Sequence, residues 1–336
     1  MAYPIEAATE RDLAALGTER IKQGWHPSLP LLRALMKWEG GMIFVLREGA
    51  LDPASATPQA PIATTSALAA GPVGVVGNVI VREDYRGRGL SHVVMDAAVA
   101  WMRERGVRWV LLDATRQGRP LYTKMGFVGV DTSYYAWAPL AEVRRAELRR
   151  LAGTVRAECA APKELARVAW LDAHAFGGDR MGLLARELEE PGARLYLASD
   201  AQREVAGYLI ARAIEAPREG LRVGPWVARD QATSAALLDC ALGEDEPWRA
   251  AVPPDGEEGW RLTVNLPGSN GDALALLRAI GMHVVQDDLI MRLDLAEAQS
   301  VVRAFGGRPC MPDVAAAPPV APHPEWVYAW IAPMVF

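Results

Sequence analysis

The sequence predicts an α/β (α+β) fold arranged as two domains, and three observations carry that expectation. The chain has 336 residues, more than one domain of roughly 100–200 residues usually holds. A β-branched run ending at Val79-Ile80-Val81 leads into a loop with two glycines, and an amphipathic helical pattern follows directly. A short, continuously apolar run at 109–114 comes next, as expected of a strand buried on both faces. A helix connecting strands over this length implies a right-handed crossover and a parallel strand pair.

In order along the chain, 10–16 and 29–38 carry apolar residues at helical spacing, and 42–47 (MIFVLR) is a predicted strand. Residues 51–61 are rich in Ala and Pro, as in a hairpin loop, and 62–68 and 74–81 are neighbouring strands. In the segment 91–105, Val93, Ala97 and Trp101 form one apolar stripe and Val94, Ala98 and Met102 another; Gly106 stands at the position where a glycine closes a helix. Pro120 suits the first turn of a short helix through Met125, Gly126 ends it, and Phe127 opens a further strand.

Composition bounds the function. The formal net charge of −5 gives no reason to expect a nucleic-acid partner. Cys159, Cys240 and Cys310 are an odd, widely spaced set without a C-x-x-C pair, which argues for a reducing compartment. There is no long uncharged apolar run and no signal-peptide pattern at the N-terminus, so the expectation is a cytoplasmic protein that does not enter a membrane. The five histidines (His26, His92, His174, His283, His323) show no ligand spacing, and no metal site is expected.

The loop RGRGLS at 86–91 admits two readings. Gly87 and Gly89 could serve only a tight strand-to-helix turn, with Arg86 and Arg88 solvated. Alternatively, the glycines let backbone N–H groups approach a ligand, the helix start adds its positive end, and the arginines add charge-assisted donors, making a pyrophosphate cradle. Neither G-x-x-x-x-G-K-[ST] nor G-x-G-x-x-G with its downstream acid occurs here, which disfavours nucleotide hydrolysis and dinucleotide binding.

At this point the sequence resembles the GNAT superfamily of acetyl-CoA-dependent N-acetyltransferases. Arg86-Gly87-Arg88-Gly89-Leu90-Ser91 is similar to that family's Q/R-x-x-G-x-G/A loop, with Ser91 in the last position, and Leu121-Tyr122-Thr123-Lys124-Met125-Gly126-Phe127 is similar to its L-Y-x-K-x-G-F. The asparagine usual upstream of the second motif is here Thr115. The resemblance implies a mixed sheet whose central parallel strands splay apart to take acetyl-CoA as co-substrate. Val79, Ile80 and Val81 would pair with its pantetheine arm, and Arg86, Gly87, Arg88, Gly89, Leu90 and Ser91 would hold its pyrophosphate. A small-molecule primary amine would attack directly within a ternary complex, and Tyr122 would serve as the acid at the departing thiolate; its other reading is a ring packed under the sheet. Trp38 and Glu39 occupy a region where the family often places substrate-facing residues, and Asp113 on the buried strand is a weaker candidate for the base.

Residues 140–151 alternate charge and apolar residues, as in a linking helix. Beyond them, helix 164–174, strands 195–199, 205–213 and 222–227, helix 234–242, strand 260–265, helix 272–279 and strands 282–285 and 289–293 repeat the order of the first half. NGDALALLRAIGMH echoes GRPLYTKMGF with Leu277 near the place of Tyr122, whereas VARDQATS offers no glycine. The expected organisation is a catalytic GNAT domain at 1–140, a linker helix at 141–155, and a degenerate GNAT-like domain at 156–336 without a pyrophosphate loop. The final stretch, with Trp326, Tyr328, Trp330 and the terminal Phe336, is a candidate packing strand. A non-catalytic acyl-CoA sensor and a partner-binding scaffold are the competing functional classes.

Overall fold

The computed structural model describes residues 3–49, 60–214, 220–251, 260–296 and 327–329. The loop expected at 51–61 and the terminal Trp326, Trp330 and Phe336 therefore lie almost wholly outside the described residues. The chain forms two compact units, and they do not divide it at one point: the first holds the chain up to Val128 and takes in Met291–Asp294 from the far end, and the second runs from Gly129 to Ile290 and includes the strand Val327–Ala329.

In the first unit the elements are β1 (Ile5–Ala7), α1 (Leu13–Lys22), α2 (Leu29–Lys37), β2 (Gly41–Leu46), β3 (Ala63–Ala70), β4 (Val73–Val81), α3 (Leu90–Glu104), β5 (Trp109–Ala114) and α4 (Arg119–Lys124). β1 through β4 form antiparallel neighbours in chain order. β5 then joins β4 in parallel, as the buried apolar run predicted. Helix α3 buries Val94, Met95, Ala98, Val99 and Met102, but Val93 is 45% exposed. Of the expected Val93 stripe Trp101 is buried and Val93 is not, while Met95 and Val99 widen the buried face beside Val94, Ala98 and Met102. A buried ion pair, Arg47 with Asp12 at 2.7 Å, fastens the end of β2 beside the start of α1, and Glu6 adds a second carboxylate at 3.2 Å. Asp12 also accepts the N–H of Thr9 at 2.7 Å, completing a capping box at the entry to the helical segment.

The second unit contains β6 (Val128–Pro139), α5 (Arg145–Ala152), β7 (Ala157–Ala160), α6 (Ala169–Phe176), α7 (Met181–Glu189), β8 (Ala193–Ser199), β9 (Val205–Ile214), β10 (Gly220–Ala228), α8 (Gln231–Ala241), β11 (Arg261–Pro267), α9 (Gly271–Ala279), β12 (His283–Asp294) and β13 (Val327–Ala329). The predicted linker helix is part of this unit: α5 packs on α8, with Arg145 and Arg149 both reaching Asp239. β12 is one strand where the pattern suggested two. Helix α7, which the sequence reading did not identify, buries Leu183, Leu184 and Leu188. Buried Asp172 and Arg180 pair at 2.8 Å, joined by the Tyr208 hydroxyl.

The strand after α4 is where structure and expectation part. β6 pairs antiparallel with β11, from Ser133 opposite Pro267 to Pro139 opposite Arg261, inside the second unit. The first unit's corresponding place beside β5 is taken by the end of β12: Trp109 donates to Asp294 at 3.2 Å, and the N–H of Leu295 to Arg108 at 2.8 Å. Strand pairing is non-local, and nothing in the alternation of either strand encodes which partner it takes.

Candidate functional site

β4 and β5 share only three parallel pairs, Val73 with Trp109, Gly74 with Val110 and Val75 with Leu111, before they part. β3 stays on the other edge of β4 as far as Val81. From Val76 to Val81 the edge of β4 facing away from β3 therefore carries no strand among the described residues, about 20 Å of backbone at the usual rise. A bulge lies just past the divergence: Asn78 and Val79 together oppose Thr65, and Asn78 takes φ of 51°, a left-handed conformation that asparagine tolerates better than most residues. Asn78 was not singled out in the sequence, because a bulge leaves no periodic signal in one strand.

β4 runs into a short turn at Glu83–Tyr85 and then into the double-glycine loop. Tyr85 is buried, its hydroxyl donates to Glu48, and the guanidinium groups of Arg82 and Arg88 lie 4.6 and 4.7 Å from its ring centroid. The carboxylate of Glu48 pushes the Tyr85 phenol above its ordinary range. Arg82 is committed to Asp84 through two bonds, at 2.8 and 2.7 Å. The bond from Arg82 holds the Asp84 carboxyl below its usual value. Arg86 donates to the Val81 carbonyl and the Gln23 amide oxygen, and Arg88 to the Asp84 carbonyl, so both make their hydrogen bonds to neutral acceptors and stay exposed.

Gly87 and Gly89 both have φ of 76°, and a Cβ built on either meets no protein atom within 4 Å. Their glycine identity serves the backbone conformation and leaves open space above it. Gly89 is the N-cap of α3, with no side chain capping that helix start. Exposed loop, uncapped helix terminus and two exposed arginines whose hydrogen bonds go to neutral acceptors suit an anion of pyrophosphate type. An open strand edge leading to that loop suits an extended, amide-bearing arm. The residues present fit acetyl-CoA.

The other sequence candidates fall in different places. Tyr122, on α4, is 8% exposed and packs edge-on against Phe127 with ring centroids 6.0 Å apart. Thr115 heads the turn that leads into that helix: its hydroxyl accepts the Gly118 N–H at 3.1 Å, which accounts for a small polar residue at this position. Trp38 and Glu39 form the corner between α2 and β2. The Trp38 ring lies over Gly40, and Glu39 is exposed. That corner adjoins the paired end of β4, at the opposite end of the strand from the Arg86–Ser91 loop. Near the open end, a cleft of about 430 Å³ is walled by Leu16, Thr18 and Glu19 of α1 and by Thr64, Ile80 and Arg82.

The second unit repeats this plan with its openings filled. β10 and β11 also share three parallel pairs, from Gly220–Arg261 to Arg222–Thr263, and β10 also bulges next, Gly224 and Pro225 together opposing Ile210. Here β13 is hydrogen-bonded to β10, Trp226 opposite Ala329 and Val227 opposite Val327, while β9 holds the other edge of the same residues. β13 lies against β11 as well, in the opening between the two. At the start of α8, the Asp230 carboxylate accepts the Thr233 N–H at 2.7 Å, so an anion of the chain itself occupies the helix terminus. Among the described residues no cluster of His, Cys, Asp or Glu suits a metal, and no helix is long and apolar enough to cross a membrane.

Comparison with known proteins also finds two domains. The Acetyltransferase (GNAT) family model matches residues 23–127, and an Acetyltransferase (GNAT) domain model matches 168–301. The uncharacterized N-acetyltransferase YitH of Bacillus subtilis is 26% identical over 185 residues, 54% of this chain and 60% of that protein, so the match spans about three fifths of the relative's length. A putative acetyltransferase from Pyrococcus horikoshii shares the fold across 99% of this chain and 96% of its own, at TM-score 0.67 and 19% identity. A tandem GNAT protein from the clavulanic acid biosynthesis pathway aligns over 87% of this chain and 98% of its own, at TM-score 0.56 and 13% identity. With both of its halves matched, the chain belongs to the GNAT acetyltransferase family and carries two GNAT domains in tandem.

Proposed function

We propose that the protein is an N-acetyltransferase that moves the acetyl group of acetyl-CoA to the nitrogen of a small primary amine, using one cofactor site per chain, in the first unit. The observation that carries the reading is the open edge of β4 beyond Val75, running directly to exposed Gly87 and Gly89 at the start of α3. The backbone of Val79, Ile80 and Val81 would pair with the pantetheine arm. The N–H groups of the loop through Leu90 and Ser91, with Arg86 and Arg88, would hold the pyrophosphate. When bound, acetyl-CoA supplies an acyl thioester.

The chain's part is then placement and proton management. Fixing two reactants in register contributes several kcal/mol without further chemistry. The Tyr122 hydroxyl would hold the proton that the leaving thiolate needs, while the amine attacks directly in a ternary complex. The cysteine usage of the chain fits work in a reducing, cytoplasmic setting.

One observation favours a second reading. At 8% exposure Tyr122 is as buried as a packing residue, which suits a non-catalytic acyl-CoA-binding sensor. Both readings expect acetyl-CoA to bind. They separate in an assay of thiol release over a panel of primary amines: acetylation of any amine above the uncatalysed rate supports the enzyme, and tight binding with no transfer across the panel supports the sensor.

A further inference from the structure

The residue just before the Arg86–Ser91 loop is a buried tyrosine set among charged groups. Tyr85 packs with Leu46, Ile62, Leu90 and Val94, so part of its ring belongs to the core of the first unit. Its hydroxyl donates to the carboxylate of Glu48, just past the end of β2 and 37 residues back along the chain. The guanidinium groups of Arg82 and Arg88 lie over the ring, 4.6 and 4.7 Å from its centroid, and Tyr3 meets it edge-on at 6.4 Å. Packing alone would need only the ring. The hydroxyl bond and the two cations call for a further account.

The two arginines are held differently. Arg82 gives both of its bonds to the Asp84 carboxylate, at 2.8 and 2.7 Å. Arg88 donates to the Asp84 carbonyl at 3.0 Å and to the Tyr3 hydroxyl at 3.5 Å, both neutral, and it stays exposed between Gly87 and Gly89. A hydroxyl that donates to a carboxylate gains negative charge, which strengthens the attraction of its ring for a cation. The ring in turn fixes a long side chain that would otherwise lose its freedom only on meeting a ligand. Fixing one such side chain in advance contributes roughly two- to tenfold in affinity.

On the acetyl-CoA reading of the loop, on which this rests, we propose that Glu48 and Tyr85 form a strut that positions Arg88 for the pyrophosphate. Tyr85 is then a positioning residue: it sets the affinity of the loop through Arg88 alone and does not touch the cofactor. Arg82 is not the residue it serves, because that guanidinium is already committed to Asp84. The planar guanidinium suits both tasks, stacking on a ring with its face and turning its N–H edge to phosphate oxygens.

Calorimetric titration of acetyl-CoA into the full chain, arranged as a double-mutant cycle, separates this role from packing. Arg88→Gln and Tyr85→Leu should each weaken binding about tenfold, and the double variant about tenfold as well, because the residue that Tyr85 positions is already gone. A ring that only packs would act equally in both backgrounds and give about hundredfold in the double variant. Tyr85→Phe and Glu48→Ala keep the ring and break the strut. Each should weaken binding about threefold in the parent and leave Arg88→Gln unchanged, and they carry the test if Tyr85→Leu fails to fold. Additive losses in either cycle overturn the proposal, as does unchanged affinity in Arg88→Gln or in a folded Tyr85→Leu. No binding by the parent chain overturns the acetyl-CoA reading itself, and this proposal with it.

Discussion

β4 and β10 leave their parallel partners at the same point, three residue pairs along, and each carries a two-for-one bulge immediately afterwards. Two copies of one backbone plan therefore make the same opening. In the first no described residue lies along it and it ends at a glycine-lined helix start; in the second β13 fills it and Asp230 closes the helix start. The splay is a property of the fold, and its use is decided by a few residues around it: Gly87 and Gly89 against Asp230, and a strand edge left bare against one that is paired. A strand laid in such a slot satisfies the same backbone groups that an amide-bearing ligand would.

The most direct way to break this comparison is to make the first opening like the second. Gly89→Trp places a bulky side chain in the space above the loop and forces a non-glycine residue to φ of 76°, so acetyl-CoA binding should be abolished; calorimetry on a variant with an unchanged melting temperature checks it. The parent protein should titrate to one acetyl-CoA per chain, and two equivalent sites would end the contrast between the units.

Next in size is the difference between the buried clamps. Asp172→Asn leaves Arg180 charged and buried and should cost about 3–5 kcal/mol in denaturant unfolding. Asp12→Asn should cost clearly less, because Arg47 keeps Glu6. Equal losses would show that the two clamps work alike.

Tyr122→Phe should lower kcat about 10²-fold with little change in acetyl-CoA affinity, if the hydroxyl delivers the proton. An unaltered kcat at saturating substrate would assign the ring to packing against Phe127. The smallest effect belongs to Asp230→Ala. Loss of the cap should destabilise the second unit by about 1 kcal/mol in a denaturant melt. It should still add no second acetyl-CoA, since β13 stays in the opening, and a second equivalent in that variant would make Asp230 the sole barrier.

What could be read in the sequence was what local chemistry encodes. RGRGLS announced its turn because two glycines and a helix start are a local requirement, and WVLLDA announced a strand covered on both faces. The part Thr115 plays in the turn before α4 emerges only with its bond to Gly118. The missed features are all non-local. β6 and β12 each alternate well enough to pair with either β5 or β11, and no residue in either strand names its neighbour. The bond from Tyr85 to Glu48 spans 37 residues and exists only through the pairing of β2, β3 and β4. That Trp38 and Glu39 adjoin the paired end of β4 is likewise set by the register of β2 on β3.

The return of Met291–Asp294 to the first unit has a consequence during synthesis. Trp109 waits for a hydrogen-bond partner 185 residues further on. A ribosome adding about 5–20 residues per second needs roughly 10–40 s to supply it. For that interval β1 to β5 have emerged, but the edge of β5 has no strand beside it, a surface open to pairing with another nascent chain. A cell making this protein quickly would meet that exposed edge before it met the finished protein, and slowed initiation or a bound chaperone would protect the first unit more than any change within residues 1–128.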